Sequence, residues 1–523
     1  MDRLGRFVLT RFLGRGGMGE VWQGHHLVDQ TPVAIKLVDG PLAGRRQSIS
    51  AEIRAISALD HPHIIWIYDQ GVVDGRPYFA MELAEGGNLV ESPPTDWLSL
   101  RDVLVQLLSA LSHAHARGVL HRDIKPENVL CGGARPGIKL ADFGLGVFFQ
   151  DDDRAGLGSG GTPAYMAPEQ FEQQRASFGP WTDLYALGCM TYALAAGQRP
   201  FPERDFAGLR AAHLHRTIPP LRPRFPVPPT LEAWIRRAMM RAIQERFANA
   251  AEAAAALPDN SILSASMVSI RDIALTEQAT NTDPGRADDQ PVSADVPEAV
   301  QPLPRPRPLA APEDWRQPPR TSLRLMGAGL SLFGLRALPL IGREKERDLL
   351  WAALRKGLQG DSFPIVFIEG AAGVGKSRLA RWLCDTAAEL GLSQPIRAEH
   401  SRAGAPGDGL PGALCRAIGL SRDTLTVPEL QRRLEGLWPP DSPGWRALCA
   451  LLHRQPDRSS PREQQVLQAQ VLRFLSPRTL LWIDDGQWAT DSLGFLRRLA
   501  EDPTALNGMA VVTLRSETLP EER

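Results

Sequence analysis

Apolar positions along the chain change their spacing several times, and each spacing predicts a different element. Leu100, Val103, Leu104, Leu107, Leu108, Leu111 and Ala114 recur three and four residues apart, with Gly118 as a stop, which predicts an amphipathic helix. Phe7 to Leu13, Val21–Trp22 and Val33 to Lys36 are short apolar runs separated by turn residues and read as strands. Ile49, Ile53, Ile56 and Leu59 fit a further helical segment that ends before His61–Pro62. The patterning ends in the alanine-rich stretch Ala248 to Leu257, and from Pro258 polar residues dominate. It resumes after Leu338, with a buried parallel strand predicted at Phe363 to Ile368, a helix carrying Leu379, Leu383 and Cys384, and strands at Thr479 to Ile483 and Met509 to Leu514. No internal repeat is visible.

A length of 523 residues predicts about three domains. The 44 prolines exceed the average share of about 5%. Ten of them fall between Pro284 and Pro319, and six more crowd Pro219 to Pro229. A stretch of this composition cannot bury enough apolar surface to offset its ordering entropy, so 258–335 reads as a disordered, partly polyproline spacer. With 43% hydrophobic and 23% charged residues the rest is ordinary globular protein, and a net charge of −1 gives no reason to expect a nucleic-acid partner. Cys131, Cys189, Cys384, Cys415 and Cys449 lie far apart, which argues against a disulfide framework or a zinc site and for a reducing, cytoplasmic setting. No signal peptide is expected at the N-terminus. The uncharged run Leu325 to Leu335 has 11 residues against the roughly 20 a membrane span needs, so no membrane partner is expected.

Candidate chemistry appears first at Gly14-Arg15-Gly16-Gly17-Met18-Gly19, where glycines between two strands let backbone amides approach phosphate oxygens. Then come Lys36 at a strand end, His121-Arg122-Asp123-Ile124-Lys125-Pro126-Glu127-Asn128, Asp142-Phe143-Gly144 and Ala167-Pro168-Glu169. In this order the set resembles the eukaryotic-like protein kinases. Phosphoryl transfer depends on positioning and charge neutralisation, and the resemblance assigns roles of that kind. It gives Lys36 the α- and β-phosphates and Glu52 the task of orienting Lys36. Asp123 would accept or orient the substrate hydroxyl's proton and Lys125 would stabilise the transferring phosphoryl group. Asn128 and Asp142 would bind magnesium, or manganese in its place. Gly14, Gly16, Gly19, Val21 and Ala34 would contact ATP, Met81 resembles the gatekeeper, and the backbone of Glu82 to Ala84 would hydrogen-bond the adenine. Asp183 resembles the aspartate that braces the catalytic loop, and Glu169 would pair with Arg246; both are structural.

Lys125 two residues beyond Asp123, together with Gly161-Thr162-Pro163-Ala164-Tyr165, resembles the serine/threonine branch, especially bacterial signalling kinases. Arg122 implies control by an activation-loop phosphate, because arginine there pairs with one. Between Gly144 and Ala164 the hydroxyl residues are Ser159 and Thr162. Thr162 resembles the threonine that contacts the catalytic aspartate, which leaves Ser159 as the expected phosphosite. The run Asp151 to Asp153 would otherwise supply constitutive negative charge or form a solvated loop.

The second block holds Gly370-Ala371-Ala372-Gly373-Val374-Gly375-Lys376-Ser377 between a strand and a helix, the context in which a glycine-rich loop cradles phosphates. Lys376 would reach the β- and γ-phosphates and Ser377 would coordinate magnesium. Asp484 would bind the metal and Asp485 would orient water. The motif Leu340-Ile341-Gly342-Arg343-Glu344 and the segment Asp484 to Ala489 resemble the AAA-type ATPases that act as signal-transduction switches. The resemblance places Gly342 to Glu344 near the adenine and makes Arg515 a sensor of the γ-phosphate. That class continues with a fifth strand, a lid and a winged helix, whereas this chain stops eight residues after Arg515, so a truncated ATPase is expected.

The expected architecture is a two-lobed α+β protein kinase over 1–257 (small lobe about 1–84, large lobe about 85–257), the spacer 258–335, and an α/β P-loop ATPase with a parallel sheet, incomplete at its C-terminus, over 336–523. The expected function is ATP-dependent phosphorylation of serine or threonine in protein substrates. A second nucleotide at the P-loop would regulate it, and oligomeric state is left open. The alternative is a signalling scaffold in which the P-loop unit is the main functional part.

Overall fold

The computed structural model describes residues 3–16, 19–38, 57, 59–73, 75–133, 136–143, 163–172, 177–259, 307–316, 340–360, 362–403, 408–417 and 461–518. Glu52, Gly144, Asp151 to Asp153, Ser159, Thr162 and the run Leu325 to Leu335 lie outside them.

The small lobe is a six-stranded antiparallel sheet of β1 (Arg3–Leu4), β2 (Phe7–Gly16), β3 (Gly19–His26), β4 (Pro32–Val38), β5 (Ile67–Val73) and β6 (Arg76–Glu82), in the order β1-β2-β3-β4-β6-β5. Its buried face brings Phe7, Val33, Ile35, Tyr68 and Ala80 into one apolar cluster. The β2–β3 hairpin pairs Gly16 with Gly19. Gly19 has a φ of +138°, and a Cβ there would meet the Leu37 carbonyl oxygen at 1.9 Å, so only glycine lets β3 lie this close to β4.

The large lobe is built around α1 (Trp97–Ala116), whose predicted apolar stripe is buried throughout. Asp96 caps it: its carboxylate accepts from the Ser99 amide at 2.8 Å, and the Ser99 hydroxyl accepts in return from the Asp96 amide. Next come α2 (Pro168–Phe171), α3 (Pro180–Ala196), α4 (Phe206–His215), α5 (Thr230–Ala238) and α6 (Ala250–Ala255). Helix α3 is apolar nearly all round and buried as such, and its C-terminus stops at Gly197 in the left-handed conformation. The short hairpin β7 (Val129–Cys131) and β8 (Ile138–Leu140) carries the segments that flank the lobe interface.

The second unit contains α7 (Glu344–Leu358), β9 (Ile365–Gly370), α8 (Lys376–Glu389), β10 (Gln394–Glu399), α9 (Gly409–Ala417), α10 (Pro461–Leu475), β11 (Thr479–Asp484), α11 (Thr490–Glu501) and β12 (Gly508–Arg515). Its sheet is parallel, in the order β10-β11-β12-β9, with β11 and β12 central and buried along nearly their whole length. Helices α7 and α8 pack on one face, and α9, α10 and α11 on the other.

Within the stretch expected as a spacer, residues 307–316 are described and lie against the second unit. Trp315 is buried among Leu350, Trp351 and Leu383, its indole donates to Asp348 at 2.8 Å, and the Trp351 indole donates to the Pro312 carbonyl at 3.1 Å. Proline-rich composition carries no sign of these contacts, in which a large aromatic with an apolar pocket and a hydrogen-bond partner is one of several anchors.

Candidate functional site

In the kinase-like unit β4, the loop before β7 and the segment after β8 meet at the lobe interface. Lys36 projects from β4, 7% exposed, and its ammonium pairs with the Asp142 carboxylate at 2.6 Å. Asp142 has a φ of +61° and Arg122 a φ of +65°; both turn the backbone sharply on either side of the site. The Asp123 carboxylate receives the Lys125 ammonium at 2.8 Å and the Asn128 amide at 3.0 Å, and Asn128 also donates to the Asp123 carbonyl at 2.7 Å. Asp123, Lys125 and Asn128 therefore form one connected group, and Lys36 and Asp142 form another. Ala34 pairs with Met81 and Lys36 with Val21 in the sheet register. The Glu82 side chain turns inward to Lys139 at 3.4 Å and its amide donates to the Trp66 carbonyl, so any contact of Glu82 with a nucleotide falls to its carbonyl.

The loop that carries Asp123 is pinned from beneath. Asp183, buried in α3, accepts from the His121 amide at 2.8 Å, the Arg122 amide at 2.7 Å and the His115 imidazole at 2.7 Å. Burial pushes its carboxyl pKa up, yet the His115 hydrogen bond and charge and the His121 amide together hold it below the ordinary value. His121 donates from Nε2 to the Ala141 carbonyl at 2.8 Å and accepts the Asp123 amide at Nδ1, which fixes its tautomer. Glu169 and Arg246 form a buried two-pronged pair at 2.8 and 3.0 Å, with the Thr182 hydroxyl on the same carboxylate. Both pairings match expectation. His115 was missed; its trace in the sequence is a histidine near the end of an amphipathic helix, six positions before His121.

In the second unit, Gly375 caps α8 in the left-handed conformation, at φ +94°, so that the loop can turn into the helix. The Lys376 ammonium donates to its own loop's carbonyls at Gly370 and Ala371, at 2.8 and 2.7 Å. The Ser377 hydroxyl reaches Asp484 Oδ1 at 2.9 Å, joined there by the Thr513 hydroxyl at 2.6 Å, while Arg397 holds Oδ2 at 2.6 Å. Burial raises the Asp484 carboxyl pKa, but Thr513, Arg397 and Ser377 together bring it below normal. Asp485, at φ +52°, takes both prongs of Arg515 at 3.0 and 3.1 Å. Arg343 ties the Gly342 to Glu344 element to the loop by donating to the Val374 carbonyl at 3.3 Å. A cavity of about 730 Å³ opens there, lined by Ile341, Arg343, Val374 and Lys376. Sequence reasoning missed Arg397 and Thr513, which lie on strands neighbouring β11 and show only as polar residues in apolar runs.

The Lys36–Asp142 pair and the Asp123, Lys125 and Asn128 group lie where an antiparallel sheet meets a helical lobe, and a glycine-rich loop joins a strand and a helix of a separate parallel sheet, so the chain holds two units. Residues 7–249 match the protein kinase domain family, and residues 339–512 match the AAA ATPase domain family. The chain thus joins a bacterial-type protein kinase domain to an AAA ATPase domain. Among curated proteins it is similar to the serine/threonine-protein kinase PknH of Mycobacterium bovis, 35% identical over 263 residues, covering 48% of this chain and 43% of PknH. It is similar also to the serine/threonine-protein kinase Pkn1 of Myxococcus xanthus, 36% identical over 48% of this chain and 37% of that protein. The serine/threonine-protein kinase PknE of Mycobacterium tuberculosis is 34% identical over 49% of this chain and 46% of its own length. The chain thus spans less than half the length of each. No helix among the described residues is long and apolar enough to cross a membrane.

Proposed function

We infer that the protein is a cytoplasmic serine/threonine protein kinase that transfers the ATP γ-phosphoryl group to hydroxyls of protein substrates and is regulated by its AAA unit. The observation that carries this reading is the assembly of Asp123, Lys125 and Asn128 on a loop braced by Asp183, close in the fold to the Lys36–Asp142 pair. Asp123, kept in place by Lys125 and Asn128, orients the incoming hydroxyl and takes its proton. Lys125 sits against that carboxylate and lends positive charge where charge develops on the transferring group. Lys36 leaves Asp142 for the α- and β-phosphates, with Glu52 as its steadying carboxylate. Gly14, Gly16, Gly19, Val21, Ala34 and the backbone of Glu82 and Ala84 enclose the nucleotide. Asn128 and Asp142 are hard oxygen donors suited to magnesium or manganese, which supplies neutralisation of phosphate charge when bound. Ser159, with Thr162 as the other hydroxyl, is the proposed phosphosite, whose phosphate Arg122 would pair with.

A second nucleotide is assigned to Gly370, Gly375, Lys376, Ser377, Asp485 and Arg515, with Ser377 and Asp484 as the oxygen donors for its metal. Lys376 lies against the Gly370 and Ala371 carbonyls, Ser377 against Asp484 and Arg515 against Asp485, which gathers these residues around one loop.

Incubation of the chain with γ-labelled ATP, magnesium and a generic basic protein should place label on serine or threonine. Asp123→Asn should lower the rate at least about a hundredfold, the scale of a lost general base. Transfer that survives undiminished in Asp123→Asn would sink the assignment.

A further inference from the structure

The phosphate loop and the catalytic loop are linked by two helices in contact. Helix α8 begins at Lys376 and Ser377 and runs about 21 Å to Glu389. There the Glu389 carboxylate, 11% exposed, accepts from Arg117 at 3.1 Å and lies 3.3 Å from His113 Nδ1. Arg117 and His113 close the C-terminal end of α1, and His115, between them, is the residue that holds Asp183. A carboxylate at the C-terminus of a helix opposes the helix dipole, so Glu389 is unfavourable for α8 alone. Its position gains sense from the cations that α1 presents.

The contact continues on both sides. Gly391, at φ +65°, sits so tightly under α6 that a Cβ would come within 2.8 Å of Ala251 and 3.0 Å of Asn249. The segment 307–316 straps the same seam: Arg307 pairs with Glu252 of α6 at 3.7 Å, and Arg478 of the AAA unit donates to the Leu309 carbonyl.

We propose that the Glu389 clasp on Arg117 and His113 is the surface through which the AAA unit addresses the kinase unit. Occupancy of the phosphate loop is felt along α8, passes to the end of α1, and reaches the backbone of His121 and Arg122 through His115 and Asp183. The proposal rests on the reading that Lys376 and Ser377 bind a nucleotide, and it adds the route by which that binding acts. The partner surface is specific: an acidic helix end seated on a basic one, with small residues at Gly391 and Ala251 that let the backbones close.

The test uses the full chain in six forms: parent, Lys376→Ala, Glu389→Arg, the charge swap Glu389→Arg with Arg117→Glu, and the last two each combined with Lys376→Ala. Calorimetry with ATP counts binding events, and labelled transfer measures kinase turnover. Two events in the parent and in Glu389→Arg, against one in Lys376→Ala, establish that the loop binds nucleotide whatever the clasp does. Turnover should then change at least about fivefold between parent and Lys376→Ala, the lower range of measured couplings. In Glu389→Arg the same Lys376→Ala change should have no effect, and in the charge swap its effect should return. Gly391→Leu, which wedges the seam without touching a charge, should uncouple in the same way and serves if Glu389→Arg fails to fold. Hydrogen exchange at residues 113–123 should respond to Lys376→Ala in the parent and not in the uncoupled variants. If Lys376→Ala alters turnover equally with and without the clasp, or alters it in neither, the proposed route is wrong while nucleotide binding stands. A single binding event in the parent overturns the nucleotide reading and the route with it.

Discussion

His213 and Asp183 are both buried in the large lobe, yet their surroundings drive them to opposite charge states. Asp183 remains ionised because three donors converge on it. His213 is surrounded by Phe171, Phe201 and Tyr185, and burial pushes its pKa down to about 4 despite the Ala164 backbone and Glu203, which favour its charged form. An unfolded histidine titrates near 6.5, so between about 4 and 6.5 the unfolded chain binds the proton and the folded one does not. Stability from this group is therefore full above pH 6.5 and is lost as pH falls through that window, by about 2 kcal/mol between pH 7 and pH 5. Thermal melts of the parent and of His213→Leu should differ in slope over this range, with the acid loss smaller in the variant. Parallel pH dependence in the two would show that the imidazole is not the titrating group.

Helix α1 serves the core with one face and the catalytic loop with another. Its N-terminus depends on Asp96, whose carboxyl is held below the usual range by the Ser99 backbone and hydroxyl. Asp96→Ala should lower kinase-unit stability by the small amount a lost helix cap costs, and Leu107→Ala, at a fully buried position, by more, about 2–5 kcal/mol. Denaturant midpoints would distinguish the two, and turnover under stable conditions should change little in Asp96→Ala. The apolar spacing that predicted this helix was legible because a core-facing stripe must repeat with the helical period, and strand–loop–helix order exposed the phosphate loop for a similar reason. Ordered motifs likewise made Asp123, Lys125, Asn128 and Asp142 readable. Contacts joining distant positions were legible only where the resemblance supplied them, as for Glu169 with Arg246; Lys36 and Asp142 lie 106 residues apart, Arg397 and Asp484 87, and such pairings leave no period in the sequence. The strap at 307–316 is hard to read for another reason, since its composition suggests a spacer while its contacts, Trp315 with Asp348 and the Pro312 and Leu309 carbonyls with Trp351 and Arg478, join it to residues far along the chain.

At the scale of the molecule, the seam between the two units contains a group that makes docking depend on pH. Asp385 lies on α8 one turn before Glu389, and its pKa is raised to about 6, first by burial and then by the Glu389 charge, against the lowering effect of Arg117 and Arg381. The charges that bear on it are Glu389 and Arg381 on its own helix and Arg117 on α1, with His113 beside them on Glu389. A carboxyl with a raised pKa binds a proton in the folded, docked form that the separated form releases. Docking therefore gains stability as pH falls from 7 through 6 and reaches its full value near the ordinary carboxylate pKa of about 4. Asp385→Asn removes the cost of burying a charge while keeping the size of the side chain, so the variant should dock more tightly at neutral pH and lose most of the pH dependence. Energy transfer between probes on the two units, followed from pH 7.5 to 5, would measure this. Efficiency that rises on acidification in the parent and starts high and flat in Asp385→Asn is the expected result. A parent whose units separate on acidification would show that the seam is held by charge pairs alone and that burial of Asp385 contributes nothing to it.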